Sequence, residues 1–209
     1  MARKPLTNPK KQASQPRAKA TVDALLEATA HILVKDGYDH ASTNRIAAIA
    51  GVSIGSLYQY FPSKEALVAA VVDRHMEEMM DVLRQALVTV MAQPVKTATR
   101  KLVKTMIDVH RVDPKLHRVL VEQIPRVGRL ENVEALDRES LLLVRAYFEA
   151  HRDELDVPDL DTAAFICVMT VEALTHAAVM QRPETLTDDK VEAFVDEVTR
   201  LVVGYLRVR

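Results

Sequence analysis

Helical spacing of apolar residues runs through almost the whole of this 209-residue chain. Apolar side chains recur three or four positions apart in one segment after another, and strand-forming residues never alternate over a useful run. Only five glycines are present. The sequence therefore predicts an all-α protein of about nine helices. We expect them near 17–35, 43–50, 54–60, 64–91, 95–111, 114–123, 129–152, 159–181 and 187–207, with breaks near Pro94, Pro114, Pro125, Pro158 and Pro183.

Charge is distributed unevenly along the chain. Residues 1–64 contain nine Lys and Arg against four Asp and Glu, whereas residues 65–209 contain 19 against 25. Six of the basic residues lie within the first 20 positions, and prolines among polar residues make 1–16 a predicted flexible arm. A basic end on an acidic body predicts a polyanionic partner that binds at the N-terminus.

The composition limits the class of protein. With 48% hydrophobic and 27% charged residues the chain has the make-up of a soluble globular protein, and no uninterrupted apolar run approaches the length needed to cross a bilayer. Residues 1–20 do not have the apolar centre of a secretory signal. The single cysteine, Cys167, lies in an apolar stretch and is expected to be buried. We therefore expect a cytoplasmic protein with no membrane partner.

The segment Thr43–Phe61 has the sequence form of two short helices joined by a sharp turn, a helix-turn-helix. Gly51 can supply the positive φ that such a turn requires, and Ser42 or Thr43 can cap the first helix. Lys64, at the start of the next helix, suits phosphate contact. The residues that remain outward on the second helix are mostly small or hydrogen-bonding, as a helix entering the major groove of DNA requires: Ser53, Ile54, Gly55, Ser56, Tyr58 and Tyr60.

These residues resemble the tetracycline-repressor (TetR) family of regulators. The resemblance covers about residues 20–68 and includes the string Gly51-Val52-Ser53-x-Gly55-Ser56-Leu57-Tyr58-x-Tyr60-Phe61-Pro62-x-Lys64-Glu65-x-Leu67. It implies a DNA-binding head, a helical body that binds a ligand and dimerises, and repression relieved by a small molecule. By position in the motif, base edges or nearby backbone would be contacted by Ile54, Gly55, Ser56 and Tyr58. Phosphates would be contacted by Thr43, Asn44, Ser53, Tyr60 and Lys64.

This interpretation divides the chain into three parts. Residues 1–16 are the flexible basic arm, residues 17–62 are the helix-turn-helix DNA-binding domain, and residues 63–209 are a larger helical domain for ligand binding and dimerisation. The partners implied are double-stranded operator DNA, a second copy of the chain and a small apolar effector.

The last two predicted helices are the most apolar. The helix at 187–207 has one apolar stripe, whereas the helix at 159–181 is apolar on more than one side and so must be covered on more than one side. We therefore expect a homodimer with a four-helix interface, with a thickly packed monomer as the alternative. The stripe of the helix at 159–181 that permits close contact consists of Ile166, Thr170, Ala173 and Ala177.

Another face of the helix at 159–181 predicts a wall of the ligand pocket. It carries Phe165, Met169, Glu172 and His176, an apolar stripe that ends in a carboxylate and an imidazole. The alternative is an exposed Glu172–His176 pair, or a core histidine satisfied by Glu172. Other predicted lining residues, each of which could equally be ordinary core, are Met106, Val109, His110, Val144, Tyr147 and Phe148.

Enzymatic and metal-dependent functions find little support in the sequence. It contains no His-x-His, His-Glu-x-x-His or cysteine pair, so we expect neither a metal site nor a cofactor. No phosphate-binding loop, nucleophile elbow or Gly-rich dinucleotide turn is present, which disfavours an enzyme. The alternative function that stays open is a ligand-independent, architectural DNA-binding protein.

Overall fold

The computed structural model describes residues 15–127 and 131–208, and within these ranges it contains helices and no strands. The predicted all-α fold is confirmed, while most of the predicted basic arm lies outside the described residues. Three short 3-10 helices lie within these ranges, at Tyr38–His40, Arg152–Glu154 and Pro183–Thr185. The α-helices are α1 (Pro16–Asp36), α2 (Thr43–Ile49), α3 (Ile54–Tyr60), α4 (Lys64–Val90), α5 (Val95–Val112), α6 (Pro114–Val127), α7 (Glu131–Ala150), α8 (Leu160–Gln181) and α9 (Val191–Leu206).

Serine caps explain where two of these helices begin. The Ser42 hydroxyl accepts a hydrogen bond from the N–H of Arg45 at 3.3 Å, so Ser42, rather than Thr43, caps α2. Ser63 caps α4, because its hydroxyl accepts from the N–H of Ala66 at 3.2 Å. Each cap satisfies a backbone donor that the first turn of a helix leaves without an internal partner.

Two predicted helix boundaries are wrong by a few residues. The predicted break at Pro125 does not occur there, because α6 continues to Val127. The helix α9 begins later than predicted because a turn precedes it, in which the N–H of Lys190 donates to the carbonyl of Thr187 at 2.8 Å.

The described residues form two compact units. The first contains residues up to Met76 together with Lys115–Glu134, and the second contains Glu77–Pro114 together with the residues from Ala135 onward. The predicted domain boundary at residue 62 separates the DNA-binding segment from the rest of the chain and stays a prediction.

The core of the first unit is built on α1. Leu25, Ile32 and Leu33 of this helix are buried, and they belong to one apolar cluster with Ile46 of α2 and Leu57 of α3. Burial of a side chain of this size contributes roughly 1.5–3 kcal/mol. Because α2 and α3 are too short to be stable alone, this burial is what holds them in place.

In the second unit, α5 contacts both α8 and α9. One apolar cluster contains Tyr147 and Phe148 of α7 with Cys167 of α8, and another contains Ile107 of α5 with Val195 of α9. Cys167 is buried as expected, and this burial raises the pKa of its thiol to about 12. The thiol is therefore neutral at physiological pH and serves as a small apolar side chain.

Both α8 and α9 leave apolar side chains in solvent. Within the described residues, α8 is the one helix long and apolar enough to span a bilayer, with a mean hydropathy of 1.7, yet only 33% of that stretch is buried within the chain. Phe165 of α8 and Leu201 of α9 are 53% and 54% exposed, and Met169 and Tyr205 are exposed as well. Exposed apolar surface of this kind indicates contact with another molecule.

Candidate nucleic-acid interface and ligand site

The turn between α2 and α3 has the predicted geometry. Gly51 adopts a φ of 67°, in the left-handed region that favours glycine. The N–H of Val52 then donates to the carbonyl of Ala47 at 3.0 Å, which closes the turn. Ile46 and Leu57, which flank the turn on the two helices, are completely buried. The helix-turn-helix predicted from the sequence is thereby present.

The N-terminal end of α3 is open to solvent. Ser53 caps it by accepting from the N–H of Ser56 at 3.1 Å, and the two hydroxyl oxygens are 2.8 Å apart. Ile54, the first residue of the helix, is 39% exposed. A Cβ added at Gly55 would meet only the Ser53 hydroxyl, at 3.9 Å, so another molecule can approach the backbone of α3 closely at this point.

Tyr58 is the largest exposed side chain of α3, with 43% of its surface in solvent. Its hydroxyl lies 3.0 Å from that of Thr43 at the start of α2, so the two predicted contact residues are hydrogen-bonded to each other. This bond fixes where the Tyr58 hydroxyl lies. No residue of α3 is charged, so nothing on this helix repels a phosphate.

The other predicted contact residues of the first unit differ in exposure. Asn44 of α2 is exposed, whereas Tyr60 of α3 is half-buried against the core of the unit. Lys64 is also half-buried: its ammonium donates to the carbonyl of Tyr38 at 3.2 Å and lies 4.0 Å from the centre of the Tyr38 ring. The Tyr38 ring thus determines where this cation is held.

Sequence reasoning missed the part that Tyr38 plays. Its hydroxyl donates to the carboxylate of Glu65 at 3.2 Å, so this one side chain contacts the first two residues of α4. Although partial burial opposes it, hydrogen bonds from its own backbone N–H, from Ser63 and from Tyr38 lower the pKa of Glu65. The residues that meet here are 26 or more positions apart, a separation at which no sequence periodicity relates them.

The predicted ligand residues of the second unit fall into different environments. Tyr147 and Phe148 are buried in the core, and the Tyr147 hydroxyl donates to the carbonyl of Gln93 at 2.7 Å. Burial, together with the negative charge of Glu154, raises the pKa of Tyr147 to about 12. Phe165 and Met169 are exposed, as described above, and Met106 is half-buried.

Two histidines from different helices meet in the second unit. His110 of α5 is 3% exposed, and its ring centre lies 5.9 Å from that of His176 of α8 in an edge-on arrangement. Glu172 lies one turn before His176 on α8. Although Glu172 is exposed by surface area, burial of its carboxyl and the negative charge of Asp137 raise its pKa. Imidazoles and a poorly solvated carboxyl thus occur in the same part of this unit.

A capped, exposed helix end held behind a glycine turn, followed by an all-helical body, defines a helix-turn-helix protein of the DNA-binding class. Residues 25–71 match the bacterial regulatory proteins of the tetR family, and residues 94–206 match the tetracyclin repressor-like C-terminal domain. The chain belongs to the TetR family, as its resemblance in sequence predicted. The family consists of transcriptional regulators rather than enzymes.

Individual relatives agree with this assignment. The HTH-type transcriptional activator FasR of Mycolicibacterium smegmatis is 36% identical over 98 residues, which is 47% of this chain and 44% of FasR. The HTH-type transcriptional repressor KstR of the same species is 38% identical over 55 residues, 26% of this chain and 27% of KstR. The chain thus matches less than half the length of these curated relatives.

Structural similarity extends over nearly the whole chain. A solved structure described as a TetR-family transcriptional regulator from Mesorhizobium loti has a TM-score of 0.73 with this chain at 19% identity. The match covers 91% of this chain and 98% of that one, which shows a shared fold.

Proposed function

We propose that this protein is a cytoplasmic transcriptional repressor that binds double-stranded operator DNA as a homodimer and releases it when a small apolar effector binds. The observation that carries the proposal is the exposed N-terminal end of α3, where small and hydrogen-bonding groups stand on a helix that the core fixes in place. Such an end fits the major groove, where base edges present hydrogen-bonding groups and the thymine methyl.

The contact residues divide by chemistry. We propose that Ile54, Gly55, Ser56 and Tyr58 face base edges or nearby backbone. We propose that phosphates are contacted by the hydroxyl, amide and ammonium groups of Thr43, Asn44, Ser53, Tyr60 and Lys64. The bond between the Thr43 and Tyr58 hydroxyls places these two groups side by side, so both would meet DNA at the same point of the surface.

The proposed dimer fits a palindromic operator, because the two half-sites of such an operator need two DNA-binding domains. The exposed apolar side chains of α8 and α9 would be covered by the same helices of a second copy. On α8 the exposed face includes Phe165, Met169 and Ala173. It therefore contains residues both from the predicted pocket face and from the predicted stripe of close helix contact. The two heads should then lie about 34–36 Å apart, or a multiple of that distance.

The effector proposal places the polar end of the ligand site at His110, Glu172 and His176. An effector acts only through a difference in affinity between the DNA-binding and the released form. A preference of ~2.7 kcal/mol for the released form lowers operator affinity about a hundredfold. The apolar wall of the site is a prediction for Met106, Tyr147, Phe148, Phe165 and Met169. Phe165 and Met169 also belong to the exposed α8 face that we assign to the dimer interface, so the proposed site would border that interface.

Repression is the direction we propose because it requires only that the dimer occupy its operator. Selection of bound fragments from a random DNA pool tests the proposal. We expect a two-fold symmetric motif, and a reporter placed behind that motif should be repressed by the chain and restored by an effector found in a thermal-shift screen. Enrichment of no motif would instead support the architectural alternative, and reporter activation would reverse the proposed direction.

A further inference from the structure

We propose that His110 and His176 bind a divalent transition-metal ion of the zinc type in the second unit. The two residues lie far apart in sequence, on α5 and α8, and their spacing matches no metal-binding motif. Imidazole is a preferred ligand of Zn²⁺, Ni²⁺ and Cu²⁺. These residues are the ones we assign to the polar end of the effector site, but the inference goes beyond the proposed regulatory function and its test does not depend on DNA or on an organic effector.

The separation of the rings is close to what one ion requires. A ring nitrogen of His110 and one of His176 lie within 4.8 Å of each other. Two nitrogens bound to one tetrahedral Zn²⁺ at 2.0–2.1 Å would be about 3.3 Å apart. His176 is only half-buried, so its side chain has room to make the adjustment.

The hydrogen bond of His110 prepares its other nitrogen for a metal. Its Nδ1 lies 2.6 Å from the carbonyl oxygen of Met106. Because a carbonyl only accepts, Nδ1 carries the proton, and in the neutral ring Nε2 is then the nitrogen that bears the lone pair, as a metal ligand must. A ligating histidine almost always donates its second N–H to a carboxylate, a backbone carbonyl or water in this way.

The charge of the surroundings favours a cation. Glu172 lies on the same face of α8 as His176, four residues before it, so it can supply a third ligand or a compensating charge. Asp137 of α7 lies near enough to interact with the Glu172 carboxyl, so a second acidic group adds negative charge to this part of the unit.

The chain offers a matched control. His151, which directly follows α7, has the same local bond as His110, since its Nδ1 lies 3.0 Å from the carbonyl of Tyr147, four residues earlier. Its ring stacks on Tyr147, with the ring centres 4.3 Å apart, rather than on a second histidine. Replacement by asparagine retains an amide donor near the position of Nδ1 and removes Nε2, so the same change can be compared at both sites.

The experiment uses the full chain without an affinity tag, stripped of metal with EDTA. Calorimetry with Zn²⁺ and the absorption spectrum with Co²⁺ should show one ion per chain. His110→Asn and His176→Asn should each lower Zn²⁺ affinity by more than about a hundredfold, beyond the loss of about 10–100-fold that follows removal of a group that only supports a ligand. His151→Asn should bind Zn²⁺ like the wild type.

Two results would overturn the proposal: no saturable Zn²⁺ binding by the wild type, or unchanged affinity in both the His110 and His176 variants. Circular dichroism checks that each variant is folded. His176→Asn carries the test alone if the buried His110 variant does not fold, because His176 is half-exposed. Neither measurement uses DNA, so failure here leaves the proposed regulatory function untouched.

Discussion

The two candidate sites differ in how their residues are brought together. In the first unit, the proposed DNA contacts lie within one short segment, Thr43–Lys64, and are placed by a glycine turn and serine caps. In the second unit, His110 and His176 meet only because α5 packs on α8. A site built from local geometry can be inferred from sequence, whereas a site built by packing of distant helices requires the fold.

The two units also differ in the kind of side chain that their surfaces expose. The exposed end of α3 combines small and hydrogen-bonding side chains with the apolar side chain of Ile54, which suits a solvated partner such as DNA, whereas α8 and α9 expose several large apolar side chains suited to another protein surface. Substitutions in the first unit should therefore change DNA binding without changing assembly. Substitutions on the exposed face of α8 should change assembly first.

The largest expected effect is on assembly. Ala173→Arg on the exposed face of α8 would put a charge without a partner into the proposed dimer interface, at a cost on the order of several kcal/mol. Sedimentation should show a monomer, with operator binding largely lost. Ala146→Arg, the same change on the exposed surface of α7, serves as the control and should remain a dimer. A dimeric Ala173→Arg variant would remove this face from the interface.

Substitutions at two glycines should have different effects on the stability of the first unit and on its DNA binding. Gly51→Ala should destabilise the fold by about 1–2 kcal/mol, because its φ of 67° is unfavourable for a residue with a Cβ. Gly55→Ala should leave stability unchanged or higher by up to about 1 kcal/mol, since the site is open and alanine favours a helix. It should nonetheless weaken operator binding, because the new Cβ stands where DNA approaches.

Thermal unfolding and operator titration together check this pair. If Gly55→Ala binds operator like the wild type, the backbone at that point does not approach DNA closely. If Gly51→Ala is as stable as the wild type, the turn does not require its glycine.

A smaller effect is expected at Lys64. Loss of one phosphate contact in Lys64→Ala should weaken binding to all DNA sequences alike and reduce the salt slope of the affinity by about one unit. Lys96→Ala, at an exposed position of α5, should leave the slope unchanged. An unaltered slope in Lys64→Ala would mean that this ammonium stays on Tyr38 when DNA is bound.

The smallest effect concerns Glu172. Because burial raises its pKa, the folded state disfavours the ionised carboxylate, and Glu172→Gln should raise the melting temperature at neutral pH. The gain should vanish below about pH 4, where the carboxyl is protonated in the folded and the unfolded chain. Melting curves across pH, in EDTA and with Glu122→Gln as an exposed control, check this. Destabilisation at neutral pH would mean that the carboxylate makes a favourable contact.

The sequence predicted the helices and the helix-turn-helix because both depend on local rules. Periodicity defined the helices, and Gly51 and Ser63 adopt the roles that their residue types favour. Prediction was weaker where packing decides. Thr199 of α9 is a polar residue, yet it is buried, with its hydroxyl donating to the carbonyl of Val195 at 2.7 Å. The meeting of His110 with His176 likewise follows from tertiary contacts that no spacing encodes.

The central claim is that the N-terminal end of α3 reads the operator sequence. Repeating the random-pool selection with Ile54→Asn tests it most directly, because Ile54 is exposed at the first position of α3 and an asparagine amide can pair with adenine. We expect the preferred base to change at one symmetric position in both half-sites, with the half-site spacing retained. Selection of the same motif by wild type and variant would show that this end of α3 does not read the bases.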